Sequence, residues 1–408
     1  MNRNHYLIKN NSIKVIGMSE KIIERGQVVT LDRVEGNLKI GRDATLIAEN
    51  GTIVVTGSIN AYHDFSCEGN LVARNLRCKE GSVEINGDLE IEQYTNVDKS
   101  LSVKGHVISP EIIVGGTFRV DDFVTSETIK IGGIMKAQSK VQAETVKVGG
   151  TLKIRGESDI GIITVGGVVK LEEKAEIEII KVGGSVSFLT GTIDQVDVGG
   201  VFKAIDKVEI NTLSVGGSAR FEEDAIVKDI DVGGVVKAQG NLNFETLDVG
   251  GSVKIAGNAE GTSFKVGGAA ICEQNLTCSG EILIGGSLRV EKVVIGDKIT
   301  VNGSIRARLI KAKSITIERK GRAIGIISAD KVLISRKAEV EDVYGIDIRI
   351  SEQARARNVY GADITIEEEA RIVGEILYTD AIYVEDDARL IKEPKKVSSL
   401  PTPKVNLE

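Results

Sequence analysis

The 408-residue chain contains no tryptophan, four prolines, four cysteines, three methionines and three histidines, and aromatic residues make up 4% of it. Each shortage excludes something. Four cysteines over this length do not make a disulfide framework. Cys67 and Cys78 are eleven residues apart and Cys272 and Cys278 six, so neither pair is the C-x-x-C of a zinc site. Buried free thiols are the expectation. His5, His63 and His106 are scattered, and the nearness of His63 to Cys67 has no second pair of ligands to complete a metal site. No Ser-His-Asp or Cys-His arrangement stands out. No apolar run reaches about 18 residues, so no spanning helix is expected. The opening M-N-R-N-H-Y-L-I-K lacks the apolar core of a signal peptide, and a reducing, cytoplasmic location is expected. A net charge of −7 disfavours a general nucleic-acid binder.

What the chain has instead is glycine, 46 of them, and a repeat. The phrase Val-Gly-Gly or Ile-Gly-Gly is followed by an apolar residue, usually Lys or Arg, and another apolar residue. The second glycines are Gly116, Gly133, Gly150, Gly167, Gly184, Gly200, Gly217, Gly234, Gly251, Gly268 and Gly286. They recur every 17 residues, with one gap of 16 and one of 18. A period in this range signals stacked supersecondary units.

Within one copy, residues 151–167, Leu152 and Ile154 flank Lys153, Ile163 and Val165 flank Thr164, and Ile160 stands between the two sets. Apolar spacing of two means strands with one buried face; a helix would space them three to four apart. One copy cannot bury its apolar side alone, whereas stacked copies bury it as a continuous column. The fold class expected is therefore all-β: a single-stranded parallel β-helix, or β-solenoid, of about 17 residues per coil. The paired glycines mark a corner, where φ > 0 and a missing Cβ are expected to serve a tight turn. They are not a phosphate loop, which occurs once, ahead of a helix, with Lys-Ser/Thr.

The remaining outward positions are polar. Arg119, Lys136, Lys153, Lys170, Lys203, Arg220, Lys237 and Lys254 occupy equivalent places and form a basic ladder. Acids such as Glu172, Glu173, Glu222 and Glu223 lie close by, and no aromatics interleave for base stacking. A solvated face is the expected reading rather than a phosphate track. Carboxylates are so common outward that choosing two for glycoside hydrolysis would be arbitrary.

Along the chain, residues 1–11 are expected as a flexible tail, 12–116 as irregular coils, and 117–320 as regular Val-Gly-Gly coils. Gly17 to Gly26 is expected as a loop or one helical turn. Coils of period 16 follow over 321–391, and 392–408, with three of the four prolines, as a disordered tail. About 21 coils at about 4.8 Å per strand give a length on the order of 100 Å.

The late copies carry a further signal. Ile334-Ser335-Arg336-Lys337-Ala338, Ile350-Ser351-Glu352-Gln353-Ala354 and Ile366-Glu367-Glu368-Glu369-Ala370 open three successive coils. Residues 329–390 resemble the bactofilins, polymer-forming cytoskeletal proteins, whose I-x-I-x-x-x-A-x-V-x-G-x-I pattern fits residues 366–376. The Val-Gly-Gly coils look like a longer variant array of the same type. The resemblance implies a right-handed β-helix that joins end to end into filaments without nucleotide, with tails that recruit membrane or protein partners. A weaker resemblance is to the β-helical region of flagellar assembly protein A-type proteins.

The expectation for function is a non-enzymatic scaffold or filament protein, partnered by copies of itself, with no cofactor, no metal and no specific nucleic acid. Its candidate self-association end is Leu390 and Ile391, apolar where a capping repeat would be polar. One rival is a monomeric β-helical binding rod or adhesin. Another is an acyltransferase of the hexapeptide class, against which stand the period of 17 and the lack of histidine in the regular coils.

Overall fold

A computed structural model describes residues 20–403. The expected coil start at Ser12-Ile13-Lys14-Val15 and the tail over residues 1–11 lie outside the described residues. Among the described residues there is no helix. The chain is a β-solenoid of about 22 turns, with coils of about 17 residues. It divides into two units, one ending at Gly132 and the other starting at Gly133.

In the second unit the register is residue on residue. Leu152 lies on Val169, Ile154 on Leu171, Ile160 on Ile177, Ile163 on Ile180 and Val165 on Val182, all in parallel pairs. Each coil therefore has three short strands: one after the corner, one in the middle and one before the next corner. Inward and outward side chains alternate with a break of one residue in mid-strand, so that Ser158–Val165 buries Ser158 and Ile160 before the break at Gly161-Ile162 and Ile163 and Val165 after it. Because the columns are single file, bulk in one coil must be offset in the next. Phe188, Ala204, Phe221 and Ala238 stack in one column, and Val186, Phe202, Ala219 and Val236 in its neighbour. Phe202 thus sits beside Ala204, and Phe221 beside Ala219, with their rings 6.1 Å apart and tilted. Such alternation keeps the narrow interior near close packing.

The 16-residue gap between Gly184 and Gly200 is taken up in the strand Ser185–Val198. Its pairing with Val168–Val182 shifts after Leu171, and Gly191 enters the inward column on Ala175 at φ +127°. An L-residue is strained there.

The corner glycines need correction. None of the eleven Gly-Gly second positions has φ > 0. What requires glycine is close approach between coils. A Cβ on Gly150 would sit 2.7 Å from the Gly133 carbonyl oxygen, and one on Gly167 would sit 2.5 Å from that of Gly150. The Gly150 amide donates to the Gly133 carbonyl at 2.9 Å, so the corners of successive coils are hydrogen-bonded backbone to backbone.

Positive φ belongs to the same corner in other coils. Lys320, Lys337, Gln353 and Glu369 lie at φ 55–63° in the late coils. There Ser335 accepts a hydrogen bond from the Ala338 amide and Ser351 one from the Ala354 amide, both at 3.0 Å, closing a four-residue turn. Ala338, Ala354 and Ala370 are fully buried just after it, which explains the small residue at that place. The first unit opens on the same turn: Gly26 has φ +67°, and Asp43 in the next coil has φ +58°.

The first unit has coils of the same three-strand kind. The segment from Glu20 to Ile23, expected as loop or helical turn, is a strand that pairs with Asn37–Ile40 and buries Ile23 on Ile40. Four residues are too few for a helical period to declare itself, and pairing with the next coil decides their conformation. At the other end of the chain, Lys395–Lys396 pair with Leu377 and Tyr378. Beyond, Pro394, Val397, Leu400 and Pro403 are half-buried and the residues between them exposed. That three-residue period is one side of an extended segment resting on the protein.

Candidate functional site

The candidate end is built from the coil formed by Ile376–Val384 and Arg389–Leu390. Its inward residues continue buried columns. Ile382 lies on Ile364, Val384 on Ile366 and Leu390 on Ile372. Ile364, Ile366 and Ile372 are buried, whereas Ile382, Val384, Ala388 and Leu390 are only half-covered. The core is thus less fully covered at this coil than in the coils before it. Leu390 faces into it, and Ile391 stands 63% exposed beside it, its amide donating to the Ile372 carbonyl. Among the described residues, the only strand on the outer edge of Ile376–Val384 is Lys395–Lys396, which covers Leu377 and Tyr378, so that Ala381 to Val384 pair with Asp363 to Ile366 on one side and with no strand on the other. Tyr383, which the sequence reading passed over, is 61% exposed on that bare edge. Its ladder neighbour is Thr365, a polar residue in the same outward column, and that contrast is the signal that marks it.

The corner of this coil, Glu385-Asp386-Asp387-Ala388, closes the same turn, with the Ala388 amide donating to Glu385 at 3.0 Å. Corner charges change sign along these coils. Arg336 pairs with Glu352 at 2.8 Å, Gln353 donates to Glu369 at 2.5 Å, and the Glu368 amide donates to the Glu385 carboxylate at 2.7 Å. The column ends in Asp386 and Asp387, with no ion pair among the described residues.

The coil before holds the densest polar cluster. Arg357 binds Asp342 through Nε at 2.8 Å and Nη2 at 2.7 Å, and Asn358 donates to the same carboxylate at 2.8 Å. The Arg357 hydrogen bond holds the Asp342 carboxyl below the usual range. The Tyr344 and Tyr360 rings pack tilted at 32° with centroids 4.7 Å apart, and burial pushes the Tyr360 hydroxyl up to about 12. This cluster ties three coils together through Glu375, which accepts from Tyr360. It holds no nucleophile set beside a base.

The basic ladder is real as geometry. Lys136, Lys153 and Lys170 stack in register, as do Lys203, Arg220, Lys237 and Lys254. It is partly answered by acids two residues further along, in the same coil or the next. Lys153 meets Glu172 at 2.7 Å, Lys203 and Arg220 share Glu222 at 3.0 and 2.8 Å, and Lys254 meets Glu273 at 2.9 Å. The hydrogen bond from Lys203 holds Glu222 below its ordinary value.

His63 and Cys67 are not brought together. Both His63 ring nitrogens lie within 3.4 Å of Arg42 Nη2, while Cys67 is buried with its thiol toward the Gly69 carbonyl. Among the described residues no group of three His, Cys, Asp or Glu side chains could hold a metal ion. All four cysteines are free and buried, and burial pushes their thiols up to about 12. His106 packs flat on Phe123, with Asp88 at 3.0 Å and Glu90 at 3.3 Å from its ring nitrogens. A surface groove of about 590 Å³ runs between Arg42, His63, Asp64, Glu80, Asp98 and Lys99. Among the described residues no helix is long and apolar enough to cross a membrane.

No family model, curated protein or solved structure matches this chain.

Proposed function

We propose that the protein is a non-catalytic structural scaffold whose copies join end to end into nucleotide-independent filaments, in the manner of the bactofilins it resembles. The incompletely covered apolar column at Ile382, Val384 and Leu390 carries this reading. A solenoid end is a sheet edge and a core edge at once, and monomeric solenoids close both with polar capping repeats. Here the last coil keeps the apolar residues of the coils before it. A second copy would satisfy the edge and bury the column together. The partner in this reading is the chain itself, in the cytoplasm, with the terminal segments available to membrane or protein partners.

The test is replacement of Leu390 and Ile391 by Asp. Wild-type protein sediments as long assemblies and shows filaments by electron microscopy. The double variant stays small, with its strand-rich circular dichroism unchanged. Wild-type protein that remains monomeric at high concentration refutes the reading and leaves a monomeric binding scaffold, with residues 392–403 closing the end.

A further inference from the structure

The first and last described coils match each other. Take the last three strands first. In coil order they are the middle strand at Leu377–Tyr378, the strand before the corner ending at Val384, and the strand after it at Arg389–Leu390. Lys395–Lys396 then return to the middle position, one rung further on. The next strand of a continued solenoid would be one before a corner. The first described strand of the chain, Glu20–Ile23, is such a strand: it precedes the Glu24-Arg25-Gly26-Gln27 turn and leads to Val28–Leu31 after it. The last described strand and the first thus occupy successive positions of one coil.

Register supports the same fit. Both turns have four residues, Glu24 to Gln27 and Glu385 to Ala388, each closed by a hydrogen bond from the fourth amide to the first carbonyl. Setting one turn on the other places Val384 over Ile23, Leu390 over Val29 and Tyr383 over Ile22. Tyr383 and Ile22 are 61% and 54% exposed, and Ile391 and Val28, at 63% and 66%, flank the same junction. Among the described residues these are some of the most exposed large apolar ones, and they lie in the first and last described coils. The same placement sets Asp386 over Arg25, as Glu352 stands over Arg336 within the chain. Two copies meeting by their C-terminal coils would instead bring Asp386 and Asp387 toward their own like.

We propose that the occupant of the C-terminal coil is the N-terminal coil of a second copy, in a head-to-tail contact registered by Tyr383 on Ile22 and Asp386 on Arg25. This rests on the end-to-end reading above. Two different surfaces meet, so the contact is heterologous and repeats from copy to copy, giving a polar filament when the rotation does not close.

Cysteine cross-linking tests it on the full-length protein. Cys67, Cys78, Cys272 and Cys278 are buried and do not compete. Ile22→Cys and Tyr383→Cys chains are made separately, mixed, and treated with a mild oxidant. The expected result is a covalent dimer at twice the chain mass in the mixture, and none in either variant alone. Dimers of Ile22→Cys alone or of Tyr383→Cys alone would overturn the polarity while leaving end-to-end association standing. Absence of any cross-link in variants that still form filaments would overturn the register. Absence of both cross-link and filament in wild type and variants alike would refute association itself. As a second arm, Arg25→Glu and Asp386→Arg each reduce filament mass, and the chain carrying both recovers it, because the swapped charges face each other again only in a head-to-tail junction.

Discussion

Glycine at the corners is a matter of what a single methyl group would strike. A Cβ at Gly183 would sit 2.7 Å from the Gly166 carbonyl oxygen, which is backbone and cannot swing aside. Gly183→Ala is expected to cost about 1–3 kcal/mol, the scale of overpacking, and Gly183→Val more. Denaturant unfolding followed by circular dichroism reads the loss; an unchanged curve for several corner substitutions would mean that the coils part more easily than their hydrogen bonds indicate. The thiols give a second residue-scale prediction. Each is buried and its thiol pushed up to about 12 by that burial, so the reactive thiolate is scarce and shielded. A thiol reagent at pH 8 is expected to titrate none of the four in the native protein and all four after denaturation.

At the scale of the element, two devices turn the chain through the same corner. In the regular coils it is a glycine pair, and in the late coils a residue such as Lys337 or Gln353 held at positive φ, at about 1–2 kcal/mol for a non-glycine residue. The hydrogen bond that closes the turn and the buried alanine after it offset that cost. The late coils are also tied by the Asp342–Arg357 pair. Its sign is definite. The Asp342 carboxyl is held below its unfolded value, so its contribution is present above the ordinary carboxylate range and is lost as pH falls through the lowered value. Arg357 is half exposed, so solvent screening limits the pair to about 1 kcal/mol. Asp342→Asn should therefore destabilise the protein by about that much at pH 7 and by nothing measurable once the wild-type carboxyl is itself protonated; equal differences at both pH values would show that shape, not charge, matters there. The basic ladder belongs to this scale as well. Because Glu172, Glu222 and Glu273 sit beside it, it is expected to give no tight, steeply salt-dependent binding to DNA at physiological salt in a filter or anisotropy assay.

On the scale of the whole molecule the repeat is a unit of construction. Residues 134, 151 and 168 share one column, as do Met135, Leu152 and Val169. Deleting residues 151–167 would set Val168 on Ile134 and Leu171 on Ala137, with every inward residue still inward. That variant should keep the strand-rich circular dichroism and a cooperative melt. Deleting residues 151–158 removes half a coil, which puts corners over strands and should abolish cooperative folding. A tolerated half-coil deletion would contradict single-file stacking.

How far the sequence reached differs from place to place, and the reason is physical. Alternation at Leu152, Lys153 and Ile154 and the 17-residue recurrence of glycine determined the strands, the coil and the inward columns, because in a solenoid each contact is made to the residue one period away. The columns Phe188–Ala204–Phe221 and Val186–Phe202–Ala219 could be written down before any fold was seen. Why the corners need glycine could not, since the obstacle is a carbonyl of the neighbouring coil and not the local φ. Nor could the strand at Glu20–Ile23, which is set by its pairing with Asn37–Ile40, nor the half-covered state of Leu390, nor the exposure of Tyr383 and Ile22. Periodicity says which residues face inward in every coil alike. Only the tertiary structure decides which coils have a neighbour on both sides, and at the last described coil that difference leaves an apolar column incompletely covered.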